Sequence, residues 1–124
     1  MFVDLVFYLA FSVLLAHELD AMHKREWRLL FILRTLPEEK ARRAFVMAHV
    51  PLVALLLWLV ANPIETVSSW TRIGLDVFMI LHAGLHWRLE NHSEYRFTTL
   101  HSRLLIYGTA ALAIVHLGLC WLTQ

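Results

Sequence analysis

Four long apolar runs dominate the chain, and the polar residues collect between them. The runs cover roughly residues 1 to 20, 44 to 61, 71 to 89 and 103 to 123. Each is close to the ~20 residues that a helix needs to cross the hydrocarbon core of a bilayer. Their apolar residues are continuous and do not alternate, which favours helices over barrel strands. The pattern predicts an all-α integral membrane protein, a single domain of four transmembrane helices in a bundle over residues 1–124.

Composition and charge support this interpretation. The chain is 59% hydrophobic and has a net charge of +1, and that small charge gives no reason to expect nucleic acid as a partner. The single cysteine, Cys120, excludes an intrachain disulfide. The partner we expect is the lipid bilayer itself, with a homo-oligomer as a further option.

The basic residues predict the orientation. The connection between spans 1 and 2 contains most of them: Lys24, Arg25, Arg28, Arg34, Lys40, Arg42 and Arg43. Arg88, Arg96 and Arg103 flank the connection between spans 3 and 4, whereas the connection between spans 2 and 3 has only Arg72. The positive-inside rule therefore predicts a multi-pass protein of the cytoplasmic membrane with both termini outside.

The first connection is expected to be helical. Residues 17–34 continue a pattern of apolar and basic positions that predicts an amphipathic segment lying along the cytoplasmic surface. A new helix is expected to begin at about Pro37, with Glu38 and Glu39 in its first turn. Pro51 then interrupts the span that follows.

Histidines and acids gather at the predicted cytoplasmic end. Seven of the eight histidines fall there: His17, His23, His49, His82, His86, His92 and His101. The same level contains the acids Glu18, Asp20, Glu26 and Glu90. Ionisable groups at membrane depth are costly unless they are paired, solvated or bound to an ion. A metal site explains the clustering, although His23, His92 and His101 also suit an interface facing headgroups and water.

The positions of these residues around their helices indicate which of them can bind the same ion. His82 and His86 form an HxxxH pair on one face of span 3, and Glu90 extends that row by one turn. His17 and Asp20 share a face of span 1, while Glu18 points about 100° away. Facing helices then add further ligands. The expected ligands of a divalent metal, zinc or iron, are His17, Asp20, His49, His82, His86 and His101.

A second buried pair is expected near the outer end. Asp76 in span 3 and His116 in span 4 lie at similar depth. A carboxylate and an imidazole buried at one level should pair. The pair is either a structural hydrogen bond or part of an ion or proton path.

The end of span 1 resembles the small bacterial membrane proteins of the HXXEE type. The resemblance covers His17, Glu18, Leu19 and Asp20 and the general layout. The chain departs from the motif, because Asp20 stands at the first glutamate position and Ala21 at the second. The resemblance implies a bacterial membrane protein with a histidine and acid site, and it implies no particular activity.

Three functions fit these features. The first is a metal-dependent enzyme, a hydrolase or a non-haem iron oxidoreductase, that acts on a lipid-like or small hydrophobic substrate with Glu90 or Glu18 as acid or base. The second is a transporter of metal ions or protons. The third is a b-type haem protein with His49 and His86 as axial ligands.

Overall fold

Four long helices and one short helical turn make up the fold. The computed structural model describes residues 1–123. Along this part of the chain the elements are α1 (Phe2–Lys24), a 3₁₀ turn (Glu26–Arg28), α2 (Glu38–Val60), α3 (Glu65–Leu89) and α4 (Leu100–Leu122), and there is no strand. The all-helical architecture predicted from the apolar runs is confirmed.

By length and apolarity, the structure supports three of the four predicted membrane spans. Within residues 1–123, three helices are long and apolar enough to cross a membrane, namely α1, α2 and α4. α3 is long enough, but Arg72, Asp76 and His86 interrupt the apolar sequence of this helix. Asp76 and His86 are buried inside the bundle. Three helices thus support membrane association, and a fourth crossing by α3 stays a prediction.

The connection between α1 and α2 differs from the expected surface helix. α1 ends at Lys24 because Arg25 adopts the left-handed conformation, with φ 61° and ψ 45°, and its N–H bonds the carbonyl oxygen of Ala21. After the 3₁₀ turn the chain continues in turns to Leu36. The prediction of one amphipathic helix over residues 17–34 is therefore wrong. The break at Arg25 allows Glu26 to be buried in the bundle.

The start of α2 agrees with the sequence. Pro37 is the N-cap residue and α2 begins at Glu38, as predicted, with Pro51 inside the helix. The Glu38 carboxylate also holds the first connection, because Arg25 Nε donates to it at 2.7 Å and Arg28 forms a second ion pair with it. These contacts stabilise the left-handed turn that precedes the 3₁₀ segment.

The helices pack into two apolar clusters, with histidines between them. One cluster consists of Phe7, Ala10, Phe11, Leu14, Val60, Leu75, Met79 and Ala113. The other consists of Ala21, Trp27, Ala41, Phe45, Ala83, Tyr95, Phe97, Ile106 and Ala110. Along α1, His17 lies between Leu14 and Ala21, and along α3, His82 lies between Met79 and Ala83. The polar level of the bundle is therefore enclosed by apolar packing on both sides.

α2 lies at the edge of this bundle. α1 and α3 both pack closely against α4, whereas α2 buries only Ala41, Phe45 and Val60. Many of its other apolar side chains, among them Leu55 and Trp58, are exposed. This surface suits contact with lipid chains, and the loose fit of α2 leaves space between it and the other helices.

Candidate metal centre

Three imidazole nitrogens converge between α1 and α3. His17 Nε2 lies 3.0 Å from His82 Nε2, and His86 Nε2 lies 3.2 Å from the same atom. His82 and His86 are one turn apart on α3, so their rings point the same way. His17 and His86 are almost fully buried, at 1% and 3% exposure. The arrangement gathers three strong metal-binding atoms at one buried point.

Glu26 completes the group from the 3₁₀ turn. Its Oε2 atom lies 3.6 Å from His17 Nε2, and its Oε1 atom lies 3.8 Å from His86 Nε2. Four residues each offer one ligand atom that lies within 4.8 Å of the other three, namely His17, Glu26, His82 and His86. Burial raises the pKa of the Glu26 carboxyl to about 8, and the charges of Glu18 and Asp20 act in the same direction. A bound cation would oppose that shift and favour the carboxylate form.

Hydrogen bonding alone does not satisfy this group. Each imidazole nitrogen offers either one N–H or one lone pair, so His82 Nε2 can form only one good hydrogen bond with two nearby nitrogens. Glu26 Oε2 is buried and has no hydrogen-bond partner among residues 1–123. Four tetrahedral ligands at Zn–N distances of about 2.0–2.1 Å would stand roughly 3.3 Å apart. The observed separations are close to that value, so the residues fit a small divalent cation.

Tyr95 and Phe97 contact the histidine rings of the group and help to orient them. His86 Nδ1 lies 3.3 Å from the hydroxyl of Tyr95, a residue of the connection between α3 and α4. The Phe97 ring packs against His17 and His86, with centroid distances of 5.5 and 4.7 Å. Burial raises the pKa of Tyr95 to about 12, so the phenol stays neutral. The neutral hydroxyl is able to accept the Nδ1–H of His86, and that tautomer leaves Nε2 free to bind a metal.

Glu18 and His49 form a separate pair between α1 and α2. His49 Nε2 lies 2.9 Å from Glu18 Oε2, and its Nδ1 lies 2.7 Å from the carbonyl oxygen of Phe45. His49 was expected to bind the metal, yet it is not one of the four grouped residues because its Nε2 is directed at Glu18. Both side chains are partly exposed, at 16% and 21%. The pair is therefore fixed in orientation and still accessible.

An apolar cavity connects the pair with the metal ligands. It has a volume of about 680 Å³ and lies between α1, α2 and α3. Its polar lining residues are Glu18, Glu26, His49, Thr71, His82 and His86, and the rest of its lining is apolar apart from Gly74. These polar residues thus form one wall of a cavity that is otherwise mainly apolar.

The other expected ligands and acids lie elsewhere. His101 is exposed near the start of α4. Asp20 is half-buried on α1, and its Oδ2 atom has no partner among residues 1–123. Glu90, expected as an acid or base, accepts from Arg103 at 2.8 Å and does not line the cavity. The structure thus groups His17, His82 and His86 out of the expected ligands, and it leaves Asp20, His49 and His101 outside the group.

Glu26 is the candidate ligand that the sequence analysis did not select. On a continuous helix it would stand nine residues from His17, and at ~100° per residue this is ~900°, or ~180° away. Only the break at Arg25 turns it towards the histidines. An arginine at position 25 does not predict a left-handed turn, because glycine is the usual residue in that conformation at the end of a helix.

The chain belongs to the family of unknown function DUF6713, whose family model matches residues 3–123. Neither the curated proteins nor the solved structures contain a match to the chain. The resemblance to the HXXEE type therefore stays a prediction from residues 17–20.

Proposed function

We propose that this protein is a membrane-embedded, metal-dependent enzyme that acts on a lipid-like or small hydrophobic substrate. One observation carries the proposal: three histidines and a glutamate converge at the polar end of an apolar cavity. The proposed ligands are His17, Glu26, His82 and His86. Three imidazoles with one carboxylate, and no thiolate, suit zinc or iron.

The position of the ligands supports catalysis better than storage. Glu26, His82 and His86 all line the cavity, so a molecule inside it would lie beside the cation. Bound zinc or iron would supply Lewis-acid activation of water, and iron, which is redox-active, would in addition allow electron transfer to dioxygen. The chain's own contribution is to hold the ligands, to exclude bulk water and to place the substrate. A purely structural metal site is normally closed by its ligands on all sides.

The substrate class follows from the lining. Away from the polar wall, the lining of the cavity is mainly apolar. The side chains there include Leu14, Leu56, Leu75 and Phe78. α2, which covers the cavity, packs loosely and can admit a molecule from the bilayer. A substrate with an apolar body and one polar reacting group matches this division.

Glu18 and His49 are the proposed proton-transfer groups. Their hydrogen bond lies on the cavity wall, and the carbonyl oxygen of Phe45 holds the His49 ring from its other nitrogen. A carboxylate and an imidazole in contact can take up and return a proton during a reaction. Glu90 is bound to Arg103 away from this wall, which favours Glu18 for the role.

The proposed location is the bacterial inner membrane, with both termini outside and the metal centre at the cytoplasmic end. The basic connection between α1 and α2 supports this orientation. A reporter fused after Leu122 should be active only when it works outside the cytoplasm. Activity of a cytoplasmic reporter at the same position would reverse the proposed orientation.

The function is tested by incubating metal-loaded and metal-stripped protein with a total bacterial lipid extract and comparing the products by mass spectrometry. We expect a metal-dependent change in one lipid or hydrophobic metabolite. His82→Ala should abolish the change, and His101→Ala, which alters an exposed histidine, should preserve it. An identical product profile for metal-loaded and metal-stripped protein would overturn the enzymatic role.

The contacts of the histidines favour the metal site over the haem alternative. Axial ligands bind iron from opposite faces of a planar macrocycle. The Nε2 atoms of His82 and His86 are only 3.2 Å apart, which leaves no room for a macrocycle between them. His49 is engaged with Glu18, so the expected pairing of His49 with His86 is disfavoured too.

A further inference from the structure

A second group of reactive side chains lies near the other end of the bundle. His116 Nδ1 is 2.6 Å from Asp76 Oδ2, which joins α4 to α3 as the sequence predicted. On the opposite side of the ring, His116 Nε2 is 3.4 Å from the sulfur of Cys120. Asp76 and His116 are buried, at 0% and 2% exposure, whereas Cys120 is partly exposed. The three side chains form one chain of contacts that ends at an accessible thiol.

The contacts fix where the protons are. The carboxylate of Asp76 accepts the Nδ1–H of His116, so the lone pair of that ring is on Nε2 and faces the thiol. The Cys120 S–H then donates to Nε2. The other carboxylate oxygen, Oδ1, is buried and has no partner within residues 1–123. The Asp76 carboxylate is thus directed at His116.

This is the arrangement of a nucleophile, a base and an orienting acid. A structural link between α3 and α4 needs Asp76 and His116 alone. It does not require a thiol at the free nitrogen of the imidazole. Cys120 is also the only cysteine of the chain, and it is not in a disulfide.

We propose that Cys120 is a nucleophilic thiol site, separate from the metal centre, that adds to uncharged conjugated carbonyl compounds dissolved in the bilayer. Cys120 lies in the last turn of α4, a helix apolar enough to cross a membrane. The neighbouring side chains of Trp121 and Leu122 are apolar and exposed. A reagent that reaches this thiol through lipid must be uncharged, and a polarisable sulfur reacts readily with a conjugated carbon.

The addition balances without a further reactant. His116 Nε2 accepts the S–H proton while the sulfur forms a bond to the β-carbon of the conjugated compound. The electron pair of the carbon–carbon double bond moves to the α-carbon and carbonyl oxygen. The proton on His116 then passes to the α-carbon, which leaves a thioether and the neutral imidazole. Asp76 remains ionised and stabilises the imidazolium while it exists.

The test is the rate at which N-ethylmaleimide, an uncharged conjugated carbonyl compound, labels the detergent-solubilised full chain. The matched control is Cys120→Ser with Trp121→Cys, which moves the thiol by one residue and away from His116. Trp121 is 80% exposed, so accessibility alone favours the control. We expect Cys120 to react at least about tenfold faster, as general-base assistance allows. Equal or slower labelling of Cys120 would overturn the proposal.

Two further variants separate activation from folding. His116→Gln should lower the Cys120 rate to that of the control thiol. Asp76→Asn should also lower it, because Asp76 is a positioning residue that selects the His116 tautomer. The same Asp76→Asn change in the control protein should leave the rate at residue 121 unaltered. If Asp76→Asn or His116→Gln changes both thiols equally, the effect is structural and the proposed activation is wrong.

Discussion

His17 Nε2 and His82 Nε2 lie 3.0 Å apart, although 65 positions separate the two residues in the chain. The contact joins α1 to α3 at the level between the two apolar clusters. His86 and Glu26 approach the same point from one turn along α3 and from the 3₁₀ turn. The group therefore depends on tertiary packing at three separate places in the chain.

Tyr95→Phe should weaken metal binding while all four ligands stay in place. The substitution removes the hydroxyl that lies 3.3 Å from His86 Nδ1, so the ring loses the group that can accept its Nδ1–H and hold its orientation. Outer contacts of this kind are worth about 10- to 100-fold in metal affinity. Competition with a zinc-chelating dye measures the change. Tyr107→Phe, which alters a more exposed tyrosine of α4, should leave the affinity unaltered, and an equal loss in both variants would contradict the role of Tyr95.

Gly74→Leu should fill part of the cavity and leave the metal centre intact. Gly74 lines the cavity, and a Cβ atom added there meets nothing within 4 Å. Gly84 provides the matched control, since it is on the same helix with equal free space and does not line the cavity. Crosslinking by a fatty acid with a photoreactive diazirine measures occupancy.

We expect Gly74→Leu to reduce this crosslinking severalfold and Gly84→Leu to have little effect. Both variants should keep the metal content of the unaltered chain. Undiminished labelling in Gly74→Leu would show that the fatty acid binds elsewhere, and it would remove the cavity from the proposed function.

The turn at Arg25 predicts a contrast between two substitutions. Valine is branched at Cβ and disfavours the left-handed conformation by about 1–2 kcal/mol or more, whereas glycine adopts it freely. Arg25→Val should therefore displace Glu26 and weaken metal binding by roughly tenfold. Arg25→Gly loses the same ion pair with Glu38 but keeps the turn, so its affinity should stay near that of the unaltered chain. Equal affinities in the two variants would show that the turn does not position Glu26.

The contacts that the sequence predicted depend on where each residue lies along its own helix. The contacts that it did not predict depend on how separate segments of the chain turn and pack. The pairing of His82 with His86 follows from helical periodicity, and the partnership of Asp76 with His116 follows from their similar depth in neighbouring helices. Glu26 was not predictable, since its placement depends on a left-handed arginine where a continuous helix was expected.

His49 shows a second kind of limit. The structure places it on the cavity wall that His82 and His86 also line, although it was expected to join them as a ligand. Which neighbour it contacts depends on the position of α2, and α2 packs loosely enough that His49 meets Glu18 and not the ligand group. The periodicity of α2 alone does not predict how far His49 lies from the grouped residues of the other helices.

Metal content tests the central claim most directly. The full chain, purified without a histidine tag and dialysed against trace zinc and iron, is measured by elemental analysis together with His17→Ala, His82→Ala, His86→Ala and Glu26→Ala. The account predicts about one equivalent of zinc or iron in the unaltered chain and little bound metal in each variant, because loss of a ligand should cost more than the roughly 10- to 100-fold in affinity that outer-shell partners contribute. His101→Ala should retain the full equivalent. A chain that binds neither metal, or one in which His101→Ala loses as much metal as His82→Ala, would contradict the account.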